Sequence, residues 1–133
     1  MKKNNILALL FPFVALILEF LPNGVAMHFM APPGEEPFVT MTSYADLLAL
    51  GYGNFGPFLT IVLTLVLINI IFLYIFKNNS KFLGRAKIIS LVAFIMSLVP
   101  IVFNSYTIIG GLISISLFIE FIYLAFNKNL DIK

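Results

Sequence analysis

The sequence predicts an all-α fold: a four-helix transmembrane bundle with a structured outer loop, carrying a short interfacial helix, between its first two spans. Three observations predict it. Hydrophobic residues make up 61% of the chain and charged residues 11%, against about 45–50% and about 25% in ordinary soluble domains. A soluble fold of 133 residues buries too little of its chain to hide that apolar content. The apolar residues fall into four runs divided by polar joints, and in lipid only helices or closed barrels satisfy every backbone group. Finally, all eight Lys and Arg lie at joints that a four-span topology puts on one side.

The runs are Ile6–Leu21, Phe58–Phe76, Ile88–Phe103 and Ile108–Phe126. A hydrocarbon core of about 30 Å takes roughly 20 residues rising 1.5 Å each. The first and third runs therefore recruit flanking residues, giving spans at about 5–22, 57–76, 87–104 and 108–126. The first span holds Pro12, which frees the carbonyl of Ala8 and is expected to kink the helix. Its charged start, apolar centre and Pro22-to-Ala26 end also fit a cleavable signal peptide, with a mature start at Met27 as the alternative. The length of the run and Glu19 inside it favour a retained helix.

Lys2 and Lys3 precede the first span, Lys77, Lys81, Arg85 and Lys87 lie between the second and third, and Lys128 and Lys133 follow the fourth. The positive-inside rule makes that side cytoplasmic, with both termini inside. The inner loop at 77–86 then reads as a topology determinant, with binding of anionic lipid as its functional alternative. Asn104–Thr107 becomes a tight outer turn.

The outer loop, 23–56, carries Glu35, Glu36 and Asp46. Ala31-Pro32-Pro33-Gly34 forces a turn, and Phe38–Thr42 has the composition of a short extended piece. Ser43 and Asp46 resemble a capping box opening a helix over Tyr44–Leu50, stopped by Gly51. Pro57 suits the start of the second span. Met27, Phe29, Met30, Phe38, Val39, Met41, Leu47, Leu48 and Leu50 make the loop too apolar for water. It is expected to fold down as a lid, or to dock a membrane partner or lipophilic ligand. Glu19, His28, Glu35, Glu36, Tyr44, Asp46, Tyr52 and Asn54 are the candidate lid or partner residues. Glu19, near the outer boundary, is expected to pin the lid by accepting hydrogen bonds from loop backbone or a tyrosine hydroxyl.

Ionisable groups inside a span are functional candidates by default. Glu120 lies about seven residues, roughly 10 Å, from the inner end of the fourth span, and Asn69 lies at matching depth in the second. With Ser116 and Ser97 they are expected to form an inner-leaflet polar layer. It would act as a proton-carrying site or as hydrogen-bonded glue averaging about 0.6 kcal/mol per bond. Ala93 with Ser97 and Gly110 with Ser114 offer small faces for close helix packing.

Chemistry is bounded by what is missing. The absence of cysteine excludes disulfides, thiolate metal sites and CxxC redox chemistry. One histidine and three loop acids lack the spacing of a metal or acid–base site. No catalytic, cofactor-binding or metal residues are assigned. The expected partners are the bilayer and another membrane protein or a second copy, and no nucleic acid.

Leu21-Pro22-Asn23-Gly24, Ser43-Tyr44 and Gly51-Tyr52-Gly53-Asn54-Phe55-Gly56-Pro57 resemble a group of small four-span bacterial membrane proteins of unknown function. The resemblance covers the first span, the loop and the second span. It implies the architecture and a bacterial inner membrane, and no activity. Two function classes follow from the residues: a non-catalytic accessory protein binding a partner or lipid through its outer loop, or a small proton-coupled carrier using Glu120 and Asn69.

Overall fold

The computed structural model describes residues 3–46, 55–127 and 130. In chain order the elements are α1 (Lys3–Phe20), β1 (Val25–Phe29), β2 (Phe38–Thr42), α2 (Phe55–Lys77), α3 (Ser80–Ser97), α4 (Val99–Val102) and α5 (Ile108–Phe126). The long helices form a ring in which α1 packs on α2 and α5, and α3 packs on the same two. The two ends differ in chemistry. One holds Lys77, Lys81, Arg85 and Lys87 and is the basic end; the other is covered by the strands and is the lid end.

Three helices are long and apolar enough to cross a membrane: Phe55–Lys77, Ser80–Val102 and Ile108–Phe126. The apolar part of α1, Ile6–Phe20, is shorter. At 1.5 Å per residue α1 is about 27 Å long, just under the thickness of a hydrocarbon core. It continues as a helix through Pro12.

The buried stripes explain the packing. On α2 they run Thr60, Ile61, Thr64, Leu67, Ile68, Ile71 and Tyr74, the three-and-four spacing of one helix face. The stripe on α3 is Leu83, Ala86, Ser90, Ala93 and Ser97, and α1 contributes Ala8 and Ala15, both fully buried. Small side chains let backbones approach closely where no water is present to drive helices together. The Ala93/Ser97 and Gly110/Ser114 faces do meet: Ser97 Oγ donates to Ser114 Oγ at 2.8 Å.

Asparagine shapes the joints. Asn23, Asn78 and Asn104 have φ of 69°, 48° and 53°, the left-handed region that asparagine tolerates best after glycine. Asn79 caps α3 by accepting from the Lys81 amide at 3.0 Å, and Thr107 caps α5 by accepting from Gly110 N–H at 3.0 Å. The Asn79 cap moves the third apolar helix to begin at Ser80, not Lys87, so the expected inner loop shrinks to Asn78-Asn79. Lys77 and Arg85 lie over the Phe82 ring, each 5.9 Å from its centroid. Their stems cover apolar surface while their charges reach outward, so this basic stretch is compatible with helix. Further along, the chain breaks at Leu98, before Pro100.

The fold is not purely α. β1 and β2 pair antiparallel from Val25↔Thr42 to Phe29↔Phe38, closed through Gly34 at φ 102°. The extended Phe38–Thr42 piece is thus a strand, and its partner is the Val25–Phe29 stretch. The helix expected from Tyr44 starts as a turn, with Asp46 N–H donating to the Ser43 carbonyl; Leu47–Leu50, Tyr52 and Asn54 lie outside the described residues. The hairpin is a lid in part. Val25, Ala26 and Met27 are buried with Tyr44, whereas Met30, Phe38, Val39 and Met41 are exposed.

Single cysteines test this arrangement without background, because the chain has none. A cysteine replacing Glu35 should label rapidly with a water-soluble maleimide, and one replacing buried Met27 slowly. Equal rates would mean that the hairpin does not rest on the bundle.

Candidate functional site

Polar side chains inside the ring gather at the lid end. They are brought there by the last turn of α1, the first turns of α2 and α5, the end of α3 and the lid.

Glu19 is fully buried and is bonded in two directions. Its carboxylate Oε1 accepts from the Thr64 hydroxyl of α2 at 2.7 Å. Its backbone carbonyl, left free at the end of α1, accepts from Tyr44 N–H at 3.1 Å. Oε2 has no hydrogen-bond partner among the described residues. Thr64 also lies 3.0 Å from the Thr60 carbonyl, and Thr60 donates to the Gly56 carbonyl at 2.9 Å. These contacts back along their own helix let hydroxyls sit in an apolar interior. The sequence expectation that Glu19 pins the lid agrees with the Tyr44 N–H bond, though it is the main-chain carbonyl that accepts, not the carboxylate.

Tyr44 is the seat of the lid. It is fully buried, and two glycines make room for it. A Cβ on Gly24 would lie 3.0 Å from the Tyr44 ring, and one on Gly110 would lie 3.3 Å from its hydroxyl. That hydroxyl has no hydrogen-bond partner among the described residues. Burial first, then Tyr106 and Glu19 nearby, push the phenol well above the usual tyrosine range, so the group stays neutral.

The other edge of the lid is tied to the turn before α5. Ala26 N–H donates to the Ser105 carbonyl at 3.1 Å, Val25 bridges Tyr106, and the Thr107 hydroxyl donates to the Gly24 carbonyl at 2.7 Å. His28 Nε2 lies 3.1 Å from the Asn104 carbonyl. The histidine is thus engaged with this turn, while Glu35 and Glu36 are exposed in the hairpin connection. No group of three or more His, Cys, Asp or Glu that could hold a metal occurs among the described residues. Tyr106 reaches into the bundle, its hydroxyl donating to Ser114 at 3.0 Å. Beside this junction a cleft of about 530 Å³, lined by Ala26, Met41, Tyr106, Thr107 and Ile108 among others, opens between lid and α5. Small-molecule sites commonly span about 300–1,000 Å³.

The expected inner polar layer does not assemble as one unit. Asn69 is exposed on the outside of the ring, its amide bonded to its own helix at the Leu65 carbonyl, 2.9 Å away. Ser116 donates to the Leu112 carbonyl at 2.9 Å, and Ser97 belongs to the Ser114 and Tyr106 group. Glu120 stands alone: it is fully buried, and neither carboxylate oxygen has a hydrogen-bond partner among the described residues. Matching depth along two helices says nothing about direction around each axis, and Asn69 lies off the buried stripe of α2. The sequence reading missed Thr60, Thr64, Gly24 and Thr107. A signal for the threonines was present: Thr60 and Thr64 are one turn apart on the face that also holds Leu67 and Tyr74.

No family model, curated protein or solved structure matches this chain.

Replacing Tyr44 tests the seat. Tyr44→Ala empties a fully buried site and should cost roughly 3–5 kcal/mol, as for other large aromatic truncations. Tyr44→Phe removes only an unbonded hydroxyl and should cost little. The folded wild type holds the phenolic proton more tightly than the unfolded chain. Its stability should therefore be full below the ordinary tyrosine value of about 10 and decline above it; Tyr44→Phe should remove that part of the decline. Thermal unfolding of the detergent-solubilised variants across pH measures both effects.

Proposed function

We propose that this is a multi-pass membrane protein in which all four long helices cross the bilayer, with the basic end cytoplasmic in a bacterial inner membrane. The concentration of Lys77, Lys81, Arg85 and Lys87 at one end supports that orientation by the positive-inside rule. The protein works without catalysis, as an accessory that binds a membrane partner or lipid through its lid.

One observation carries this reading. β1 is held on both sides, by β2 and by the turn at Tyr106, whereas β2 has one edge unpaired among the described residues. On that strand Phe38, Val39 and Met41 are each about half exposed, at 57%, 48% and 50%. An unpaired strand edge is a template for another chain, and an exposed apolar patch marks a contact with protein or membrane. The neighbouring cleft, apolar with a few hydroxyls, suits an amphiphile.

A photoreactive residue at Val39 should give a discrete adduct with a single protein or lipid species in native membranes, whereas one at outward-facing Ile95, on the lipid-facing side of α3, should give only the diffuse adducts of bulk lipid. The same diffuse adducts at both positions would sink the reading.

Glu120 supports a second reading, a small carrier. A buried carboxyl with no hydrogen-bond partner is costly unless it has a use, and Asn69, facing outward, is not part of that site. Uptake into proteoliposomes should then be lost in Glu120→Gln while the fold is kept. Uptake unchanged in that variant would exclude Glu120 as the carrier.

A further inference from the structure

We propose that the outward face of α3 at the basic end binds one anionic phospholipid. Lys81 and Arg85 hold its headgroup, and its acyl chains lie over Ile88 and Leu91. The site is separate from the lid and rests on the reading that α3 crosses the bilayer.

The first argument is charge without a partner. Lys77, Lys81 and Arg85 are exposed, and among the described residues every carboxyl lies elsewhere. Glu35, Glu36 and Asp46 lie in the lid segment, Glu19 is bonded to Thr64, and Glu120 is buried. Lys77 and Arg85 share the Phe82 ring, each 5.9 Å from its centroid, so the two charges stay within twice that distance. At a membrane surface the concentrated source of opposite charge is the anionic headgroup, and an arginine fork suits its phosphate.

The second argument is depth. Ser80–Val102 has 23 residues, about 34 Å of helix at 1.5 Å each, against a hydrocarbon core of about 30 Å. Its first turns therefore stand in the headgroup layer.

The third argument is the shape of one face. Lys81, Gly84, Arg85, Ile88 and Leu91 follow the three-and-four spacing of a single stripe, and all five are exposed. A topology signal needs charge at this end on any face. Here the cations are followed, one to two turns deeper, by Ile88, 65% exposed, and Leu91, the order of a headgroup and its chains. A Cβ on Gly84 would meet nothing within 4 Å. Glycine inside a helix destabilises it relative to alanine, and no packing within the chain requires one here. It leaves a notch between the cations where a headgroup approaches the backbone.

The chain has no tryptophan, so Ile88→Trp in the full-length protein gives a single fluorophore on the site. The protein is placed in nanodiscs mixing phosphatidylglycerol and phosphatidylcholine, with one or the other brominated on its chains. Quenching should show phosphatidylglycerol preferred at this position by about tenfold, from about fivefold or less for each cation. Ile119→Trp, 40% exposed on α5 at a similar distance from the basic end, should show nearly equal quenching. Adding Lys81→Gln with Arg85→Gln, both at exposed positions, should remove the preference in Ile88→Trp. Gly84→Leu keeps both charges but fills the notch, and should lower it too. Equal preference at positions 88 and 119, or a preference that survives either set of substitutions, would overturn the proposal. No quenching by either lipid in Ile88→Trp would overturn the placement of α3 in the bilayer, and the proposal with it.

Discussion

The structure turns on Glu19, where three parts of the chain that differ in chemistry are joined at one residue. Its carboxylate ties α1 to α2 through Thr64, and its carbonyl ties the end of α1 to the lid through Tyr44. Both bonds are buried, where breaking one leaves a polar group unpaired at a cost of about 1–3 kcal/mol. The lid therefore cannot lift without exposing the end of α1, and α1 cannot shift along α2 without disturbing the lid. Tyr44 makes the joint fit, its ring against Gly24 and its hydroxyl over Gly110.

Around that joint the bundle is assembled by small residues. Ala15 on α1, Ala93 on α3 and Gly110 on α5 are buried at the lid end, and Ala8 and Ala86 at the basic end. Between these sits Glu120, whose isolation contrasts with the bonded Glu19. The two carboxyls thus occupy different situations. One is structural to the lid, and the other lies in the interior with nothing described to hold it. Among the described residues Glu120 is the buried carboxyl with neither oxygen bonded, and a carrier of the kind proposed above would work through it.

Much of the helical framework was legible because its causes are local or periodic. The fourth apolar run and α5 coincide at Ile108–Phe126, and the lysines and arginines around Asn78 mark one end. The start of α3 was misread because charge in the 77–86 stretch suggested a loop. A cap at Asn79 and snorkelling side chains over Phe82 make the same residues helical. β1 was hidden for a different reason. Val25, Ala26 and Met27 are consecutive buried residues, so the strand lacks the alternation that betrays a half-exposed one. Its partner Phe38–Thr42 could be suspected from composition, but pairing is a tertiary fact. Position along the helix was readable for Asn69 and Glu120, and azimuth was not, which is why the expected layer does not form. The site at Glu19 was half legible: the carboxyl and the lid were in view, and the threonines that receive it were not.

Amide hydrogen exchange on the protein in lipid nanodiscs tests the coupling of lid to bundle most directly. Ala26 N–H, bonded to Ser105, and Tyr44 N–H, bonded to Glu19, report the two attachments of the hairpin, and Glu36 in its connection reports the free end. Slow exchange at Ala26 and Tyr44 beside fast exchange at Glu36, with the amide at position 44 accelerated by Tyr44→Ala or by loss of the Glu19 joint, is the expected result. Exchange at Tyr44 as fast as at Glu36 in the wild type would mean that the joint at Glu19 does not hold the lid.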